Sequence, residues 1–516
     1  MRSWCAAPIG ATTGSDGPGG QGGEAVRVVP KVMSTQHPDN AVHAPFADEA
    51  GVLKGEGEVE EAVSVFAMGC DEQMWDSEGK EADNHVVRKL LTGHPDFFRN
   101  ELQLGRDIAL TLRVPNPRVE RDMRKSMVEA LQSVPSACDV ARGFYGDEHA
   151  APIQEVIVPM VTSAEEVALV EAYYQKVIVG QEEQALLGGQ SVKDFVGEFL
   201  PKRVRVIPLI EDMENLFACD RIVEEYVRGR DLPYQRVFFA RSDPALNYGI
   251  VTAELVLKVG LLRLHNLEAK LGLPLYPIIG AGSVPFRGHL TPVNVERAFV
   301  EYPSAHTLTV QSAFKYDYGD EVVRRGIAQI RAHERTEPVP IDEQAAREIA
   351  EKTTAEYQAQ VQGLVEVIRA VSGHVPRRRE RKLHVGLFGY GRSLGGVGGV
   401  TLPRAIGFTA SLYSIGVPPE LLGLASLSDS DLAFVREVYP SLDGDLRAAL
   451  RFANERRVKD LLGDTYVRLL GRFVDELDRV HEGLTSAIWA SSSHESASAH
   501  MGHYIEEAAE LRRFLG

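Results

Sequence analysis

The chain has little cysteine, no long apolar run and a deficit of basic residues, and each shortage excludes a class of protein. Only four cysteines occur among 516 residues, and no two form a CxxC pair: Cys5, Cys70, Cys138 and Cys219. That scarcity excludes a disulfide framework and a thiolate metal site, and it indicates a reducing compartment, which we expect to be the cytoplasm. No apolar run approaches the ~20 residues that span a bilayer. The formal net charge of −17 argues against a general nucleic-acid or anionic-membrane binder.

The first 24 residues lack the apolar content that a folded segment needs. Their stretch ATTGSDGPGGQGG is rich in glycine, serine and threonine, so we predict a disordered N-terminal extension over residues 1–24. Hydrophobic residues make up 44% of the whole chain and charged residues 25%, which are ordinary values for a protein with a large core.

From Ala25 onward, short runs of Val, Ile, Leu and Phe recur with amphipathic helical patterns between them. Continuous apolar runs are typical of strands that are buried on both faces, as in a parallel sheet. Eight such runs predict an α/β fold, a (β/α)8 TIM barrel. The alternative, an open doubly wound sheet, would show a glycine-rich fingerprint after its first strand, and none is present. The predicted strands are Val26–Met33, Ile108–Arg113, Glu155–Met160, Val204–Ile210, Arg236–Ala240, Leu275–Gly280, Thr307–Gln311 and His384–Gly389.

Two connections are too long for simple barrel loops, and the last hundred residues read as helical. We therefore predict a barrel over residues 25–415 with helical insertions at about 41–106 and 314–383, and a C-terminal helical layer over 416–516 packed on the barrel. The basic run PRRRERK (Pro376–Lys382) could bind an anion or a neighbouring subunit, but a solvated loop is the favoured interpretation.

In barrel enzymes the catalytic groups lie at the C-terminal ends of the strands. Glu211 and Asp243 end consecutive predicted strands and are hard oxygen ligands suited to Mg²⁺ or Mn²⁺. Arginines at separate strand ends predict an anionic substrate, because guanidinium groups match carboxylate and phosphate. His37 adds a base that titrates near neutral pH. The other polar residues at predicted strand ends are Arg113, Arg241, Arg287, Gln311, Lys315 and Arg392.

These residues predict a metal-dependent barrel enzyme that acts on a small, multiply charged anion, and they leave the reaction open. A Mg²⁺-dependent aldolase or lyase of 2-oxo acids would use the same carboxylate pair. A non-catalytic regulatory barrel would have no need to keep the pair and the histidine. The glycine-rich loop Gly389–Gly399 allows backbone N–H groups to approach an anion, although it does not match the Walker spacing.

Several segments resemble phosphoenolpyruvate carboxylase, most closely its short archaeal-type branch. STQHPDN is similar to the family's TAHPTE, VIPLIEDMENL to PLFETxxDL and RSDPALNYG to YSDSAKDAG. PFRG is similar to the end of the family's GRGGxxGRGG loop, and TLPRAIGF to SLRAIPW. The segments keep the family's order from Met33 to about Gly423. Three positions depart from it: Leu246 stands at the family's lysine, and Ala281 and Ile279 at an arginine and a histidine of its loop.

The resemblance implies carboxylation of phosphoenolpyruvate by bicarbonate to give oxaloacetate and phosphate, with Mg²⁺ or Mn²⁺ as cofactor. It gives His37, Arg287 and Arg392 catalytic roles and makes Glu211 and Asp243 the metal ligands. Arg113 and Arg404, together with Gln311 and Lys315, are predicted to bind the substrate. The resemblance also implies a homotetramer.

Overall fold

Eight parallel strands close into a barrel in the computed structural model, which describes residues 28–78, 80, 82–380, 402–492 and 498–516. Each strand pairs with its sequence neighbour, and pairing of Val32 with Leu308 joins the last strand to the first. The predicted fold class is therefore confirmed. The strands are β1 (Val32–Ser34), β2 (Glu72–Asp76), β3 (Ala109–Arg113), β4 (Ile153–Val158), β5 (Arg205–Ile210), β6 (Gln235–Ala240), β7 (Leu275–Gly280) and β8 (Thr307–Val310).

The identity of two strands differs from the prediction. β2 lies inside the segment that we predicted as a helical insertion, and β8 is the seventh strand of the prediction. The predicted strand His384–Gly389 lies outside the described residues, and the barrel closes without it. β2 was missed because its sequence EQMWD is not apolar, although all five residues are buried.

The polar residues of β2 are buried because they meet partners inside the barrel. Arg236 of β6 donates to both oxygens of Glu72 at 2.8 and 2.9 Å and to Glu155 of β4 at 2.9 Å. These residues stand near the N-terminal ends of their strands. Apolar side chains fill the next part of the interior, including Met33, Met74 and Phe238. The barrel is thus a packed core with a buried ion cluster at one end.

The helices up to β8 agree with the predicted patterns, apart from their ends. The helix α5 (Ala164–Tyr173), for example, continues as a π-helical turn over Tyr174–Val179. Asp212 caps α7 (Met213–Leu216) by accepting from the amide of Asn215. The helices are α1 (Glu56–Met68), α2 (Val86–Gly93), α3 (Pro95–Asn100), α4 (Arg124–Tyr145), α5 (Ala164–Tyr173), α6 (Val192–Val196), α7 (Met213–Leu216), α8 (Cys219–Val227), α9 (Ser242–Tyr248), α10 (Ile250–Leu271) and α11 (Val295–Glu301).

The helices after β8 cover the barrel. The second predicted insertion follows the last strand and does not interrupt the barrel. Its long helix Glu343–Ser372 packs on α9 and α10, where Tyr357 donates to the carbonyl of Leu246 at 2.8 Å. Among the described residues, no helix combines the length and apolar character that crossing a bilayer requires. These helices are α12 (Ser312–Tyr316), α13 (Asp320–Ala332), α14 (Glu343–Ser372), α15 (Ala405–Ser414), α16 (Asp429–Val438), α17 (Leu442–Leu450), α18 (Glu455–Leu462), α19 (Asp464–Phe473), α20 (Arg479–Ser492) and α21 (Ser498–Arg512).

Part of the basic run after α14 is buried, so the prediction of a solvated loop is wrong for Arg378 and Arg379. Arg379 donates to Glu58 and Glu61 of α1 at 2.6 Å each. Arg378 donates at 2.7 Å to the carbonyl of Ala41, in the segment that follows β1. The two arginines therefore attach this part of the chain to the barrel.

We predict that Arg236→Met lowers the free energy of unfolding by ~3–5 kcal/mol, because it leaves Glu72 and Glu155 buried without their shared cation. Urea denaturation measures this loss. Arg205→Met is the matched control, since Arg205 is 3.5 Å from Glu155 and 21% exposed and should contribute at most ~1 kcal/mol. Equal losses of unfolding free energy in the two variants would contradict the larger stabilising effect assigned to the interior cluster.

A second prediction concerns Glu420, which accepts from the amide of Phe286 and the hydroxyl of Tyr413 at 2.7 Å each. Burial raises its pKa from 4.5 to about 7. Between those two pH values the folded chain holds a proton that the unfolded chain has lost, so the contribution of Glu420 to stability falls as the pH rises. Glu420→Gln should therefore gain stability relative to the parent between pH 5 and 8. Thermal midpoints measure the gain, and Glu437→Gln at an exposed position should follow the parent at every pH.

Candidate active site

His37 lies at the exit of β1, at the C-terminal end of the barrel. Its side chain is partly exposed, and Nδ1 is 2.9 Å from the hydroxyl of Thr35. Its carbonyl accepts from the amides of Asp39 at 3.1 Å and Ser312 at 3.2 Å. The segment that carries the imidazole is thus tied to the segment that follows β8.

Asp39 is a buried carboxylate that the sequence analysis did not single out. It accepts from the amides of Ala313 at 2.7 Å and Ser283 at 3.2 Å, and it lies 3.6 Å from Arg287. Burial raises its pKa, while Arg287 and the two amides oppose the rise. Its only signal in the sequence is its place two residues after His37. Asp39 joins the loops after three strands, β1, β7 and β8.

Arg287 is fully buried beside Asp39. It donates to Ser242 Oγ at 3.0 Å, to Gln311 Oε1 at 2.6 Å and to the backbone oxygen of Gly516 at 2.8 Å. Gly282 makes room for it, because a Cβ at that position would stand 3.1 Å from the guanidinium and from Gln311 Oε1. Burial lowers the pKa of Arg287, and Asp39 and Asp243 oppose this. Three of its five N–H groups are used in these bonds.

Arg113, at the end of β3, is held by two carboxylates that come from β2 and the residues after it. Asp76 accepts from it in a bidentate pair at 2.9 and 2.6 Å, and Glu78 lies 3.0 Å away. The other oxygen of Glu78 is 3.5 Å from Arg404, which is 37% exposed. The structure thus brings the predicted substrate ligands Arg113 and Arg404 to the same carboxylate. Asp76 and Glu78 were missed because β2 was missed.

Glu211 and Asp243 follow the neighbouring strands β5 and β6. Glu211 is buried and accepts from the amide of Met160 at 2.7 Å, at a residue with φ 53°. Asp243 stands in the first turn of α9. Within the described ranges, no three His, Cys, Asp or Glu side chains form a metal-binding group. Two oxygen donors still fit Mg²⁺, which is usually held by one or two carboxylates with waters and substrate oxygens.

The remaining predicted residues differ in their surroundings. Lys315 is buried and donates to Ser34, Thr35 and Glu61. Arg241 is buried too, but it donates to Glu254 and to backbone carbonyls and so serves the packing of α10. Arg392 and the loop Gly389–Gly399 lie outside the described residues.

Together these residues give one end of the barrel a partly exposed imidazole, two carboxylates on neighbouring strands and several arginines fixed by acidic partners. The imidazole can move a proton, the carboxylates can hold a cation and the arginines can bind an anion. This arrangement suits chemistry on a small anionic substrate.

Comparison with known proteins identifies one family. The model of one family, described as phosphoenolpyruvate carboxylase, matches residues 29–516. A phosphoenolpyruvate carboxylase of Methanospirillum hungatei is 50% identical over 495 residues, covering 95% of this chain and all of that protein. Those of Methanothermobacter thermautotrophicus and Halobacterium salinarum are 48% and 46% identical, covering 95% of this chain and 100% and 99% of theirs. The chain belongs to the phosphoenolpyruvate carboxylase family of enzymes.

Proposed function

We propose that this enzyme carboxylates phosphoenolpyruvate with bicarbonate, giving oxaloacetate and phosphate through carboxyphosphate and an enolate. The observation that carries the proposal is the meeting of His37, Arg287 and the pair Glu211 and Asp243 at one end of the barrel, in a chain of this family. Phosphoenolpyruvate bears a carboxylate and a phosphate, and both are anions that arginine recognises.

In the first step, an oxygen of bicarbonate attacks phosphorus and the bond from phosphorus to the enol oxygen breaks, giving carboxyphosphate and the enolate. Arg287 and Arg113 neutralise negative charge during this transfer, and we assign Arg392 and Arg404 to the same task. Because Arg287 and Arg113 are fixed by their acidic partners, no reorganisation is needed when the charge develops. Gln311 orients Arg287 through the 2.6 Å hydrogen bond.

In the second step, His37 removes the proton of the carboxyl group of carboxyphosphate, which then splits into CO₂ and phosphate. The enolate carbon attacks CO₂ to form oxaloacetate. We assign to His37 the tautomer in which Nδ1 donates to Thr35 Oγ1 and Nε2 carries the lone pair. Water must be excluded at this moment, since protonation of the enolate would give pyruvate.

Mg²⁺ or Mn²⁺ held by Glu211 and Asp243 would supply Lewis-acid stabilisation of the negative charge on the enolate oxygen and the substrate carboxylate. The homotetramer that the resemblance implies is part of this proposal, as is a cytoplasmic location. The location is supported by the buried free thiols of Cys70, Cys138 and Cys219.

The reaction itself is tested by a coupled assay for oxaloacetate in which phosphoenolpyruvate, bicarbonate and Mg²⁺ are each omitted in turn. We expect oxaloacetate only with all three present, and phosphate release that depends on bicarbonate. An aldolase or lyase of 2-oxo acids would release no phosphate.

His37→Asn should abolish oxaloacetate formation yet retain bicarbonate-dependent phosphate release, with pyruvate as the organic product. The reason is that the first step does not use the imidazole. Oxaloacetate, pyruvate and phosphate are measured in the same reaction. His149→Asn, at an exposed position after α4, is the control and should match the parent. Parental oxaloacetate rates in His37→Asn would exclude the assigned role.

Asp243→Asn should raise the Mg²⁺ concentration that gives half-maximal activity by about tenfold or more, because one charged oxygen ligand is replaced by a neutral one. Asp212→Asn is the matched control: Asp212 is next to Glu211 but caps α7, and asparagine caps helices equally well. Identical Mg²⁺ titrations for Asp243→Asn and the parent would refute the ligand assignment.

A further inference from the structure

Lys315 stands in α12, which follows β8, and the residue is 1% exposed. It donates to Ser34 Oγ at 3.1 Å, to the carbonyl of Thr35 at 3.0 Å and to Glu61 Oε1 at 3.0 Å. An ammonium group has three N–H donors. All three of them are therefore used within the protein.

Glu61 is the centre of a buried cluster that holds Lys315 in place. Besides Lys315, it accepts from Arg379 at 2.6 Å and from the hydroxyl of Tyr316 at 2.8 Å. Burial by itself would raise the pKa of Glu61, but Arg379 and Lys315 lower it to about 2. The carboxylate is therefore ionised, and its position is fixed from α1, α12 and the segment after α14.

This cluster reaches the proposed base in two steps. Lys315 fixes the carbonyl of Thr35, and the hydroxyl of the same residue lies 2.9 Å from Nδ1 of His37. Thr35 thus receives a hydrogen bond on its backbone and contacts the imidazole with its side chain. A displacement of this residue would turn or shift the imidazole ring.

We propose that Lys315 is a positioning residue for His37, acting through Thr35 and held by Glu61 and Arg379, in place of the substrate contact predicted from the sequence. The inference rests on the proposed function, because it needs His37 to be the base of the second step. It gives a role to the buried carboxylate of Glu61, which accepts from Lys315 at the end of the barrel and from Arg379 in the basic run.

The test is Lys315→Met in the full-length enzyme, with oxaloacetate, pyruvate and phosphate measured together. We expect the rate of oxaloacetate formation to fall about 10- to 100-fold, as for a misplaced catalytic group. Phosphate release should fall less, so that the ratio of pyruvate to oxaloacetate rises. The KM for phosphoenolpyruvate should stay within about twofold, because Lys315 does not touch the substrate.

Lys258→Met is the matched control. Lys258 is also a buried lysine paired with a glutamate, but it lies on α10 and its partner, 2.8 Å away, is Glu301 of α11. It should lose stability without any change in the ratio of products. A ratio that moves equally in both variants would mean that lost stability, and not the position of His37, is responsible.

A rise in KM of about tenfold or more with an unchanged product ratio in Lys315→Met would make Lys315 a substrate ligand and overturn the inference. If Lys315→Met does not fold, Thr35→Val removes only the hydroxyl contact with His37 and should shift the product ratio in the same direction.

If the parent itself makes no oxaloacetate, the proposed function fails. If the parent makes oxaloacetate but the ratio of pyruvate to oxaloacetate is unchanged in Lys315→Met and Thr35→Val, the inference about Lys315 is refuted and the proposed function stands.

Discussion

A charge that is removed from water must meet an opposite charge or hydrogen-bonding partners, and the architecture of this barrel depends on that constraint. Arg236 is fully buried in the interior and needs Glu72 and Glu155. Arg113 is buried at the other end and needs Asp76. Both arginines rely on β2. β2, which has the least strand-like sequence, therefore supplies a carboxylate partner to both buried arginines.

The same constraint explains the limit of what the sequence could reveal. Seven of the observed strands overlap predicted apolar runs, and Glu211 and Asp243 follow consecutive strands as expected, because both signals are local in the sequence. β2 gave no such signal, because the partner that allows Glu72 to be buried is Arg236, which is 164 residues away in the sequence. Arg378 and Arg379 were predicted to be solvated for the same reason. The carboxylates that accept hydrogen bonds from Arg379 lie on α1, more than 300 residues earlier in the sequence.

At the C-terminal end of the barrel, charged side chains hold one another in place. Asp39 fixes the loops that carry Arg287 and the imidazole, and Asp76 fixes Arg113. Fixed charges stabilise a transition state more than mobile ones, because no energy is spent on orienting them during the reaction. The acidic net charge of the chain is thus compatible with an anionic substrate, since many carboxylates serve to place arginines.

The loop after β1 is held by residues that are made much later. The amide of Leu515 donates to the carbonyl of Asp39 at 2.7 Å, and Arg378 donates to the carbonyl of Ala41. At a translation rate of roughly 5–20 residues per second, Leu515 is synthesised about half a minute or more after His37. The hydrogen bond from Leu515 can therefore form only long after the barrel strands have been synthesised, whereas the amide of Ser312 is available to the same loop much earlier.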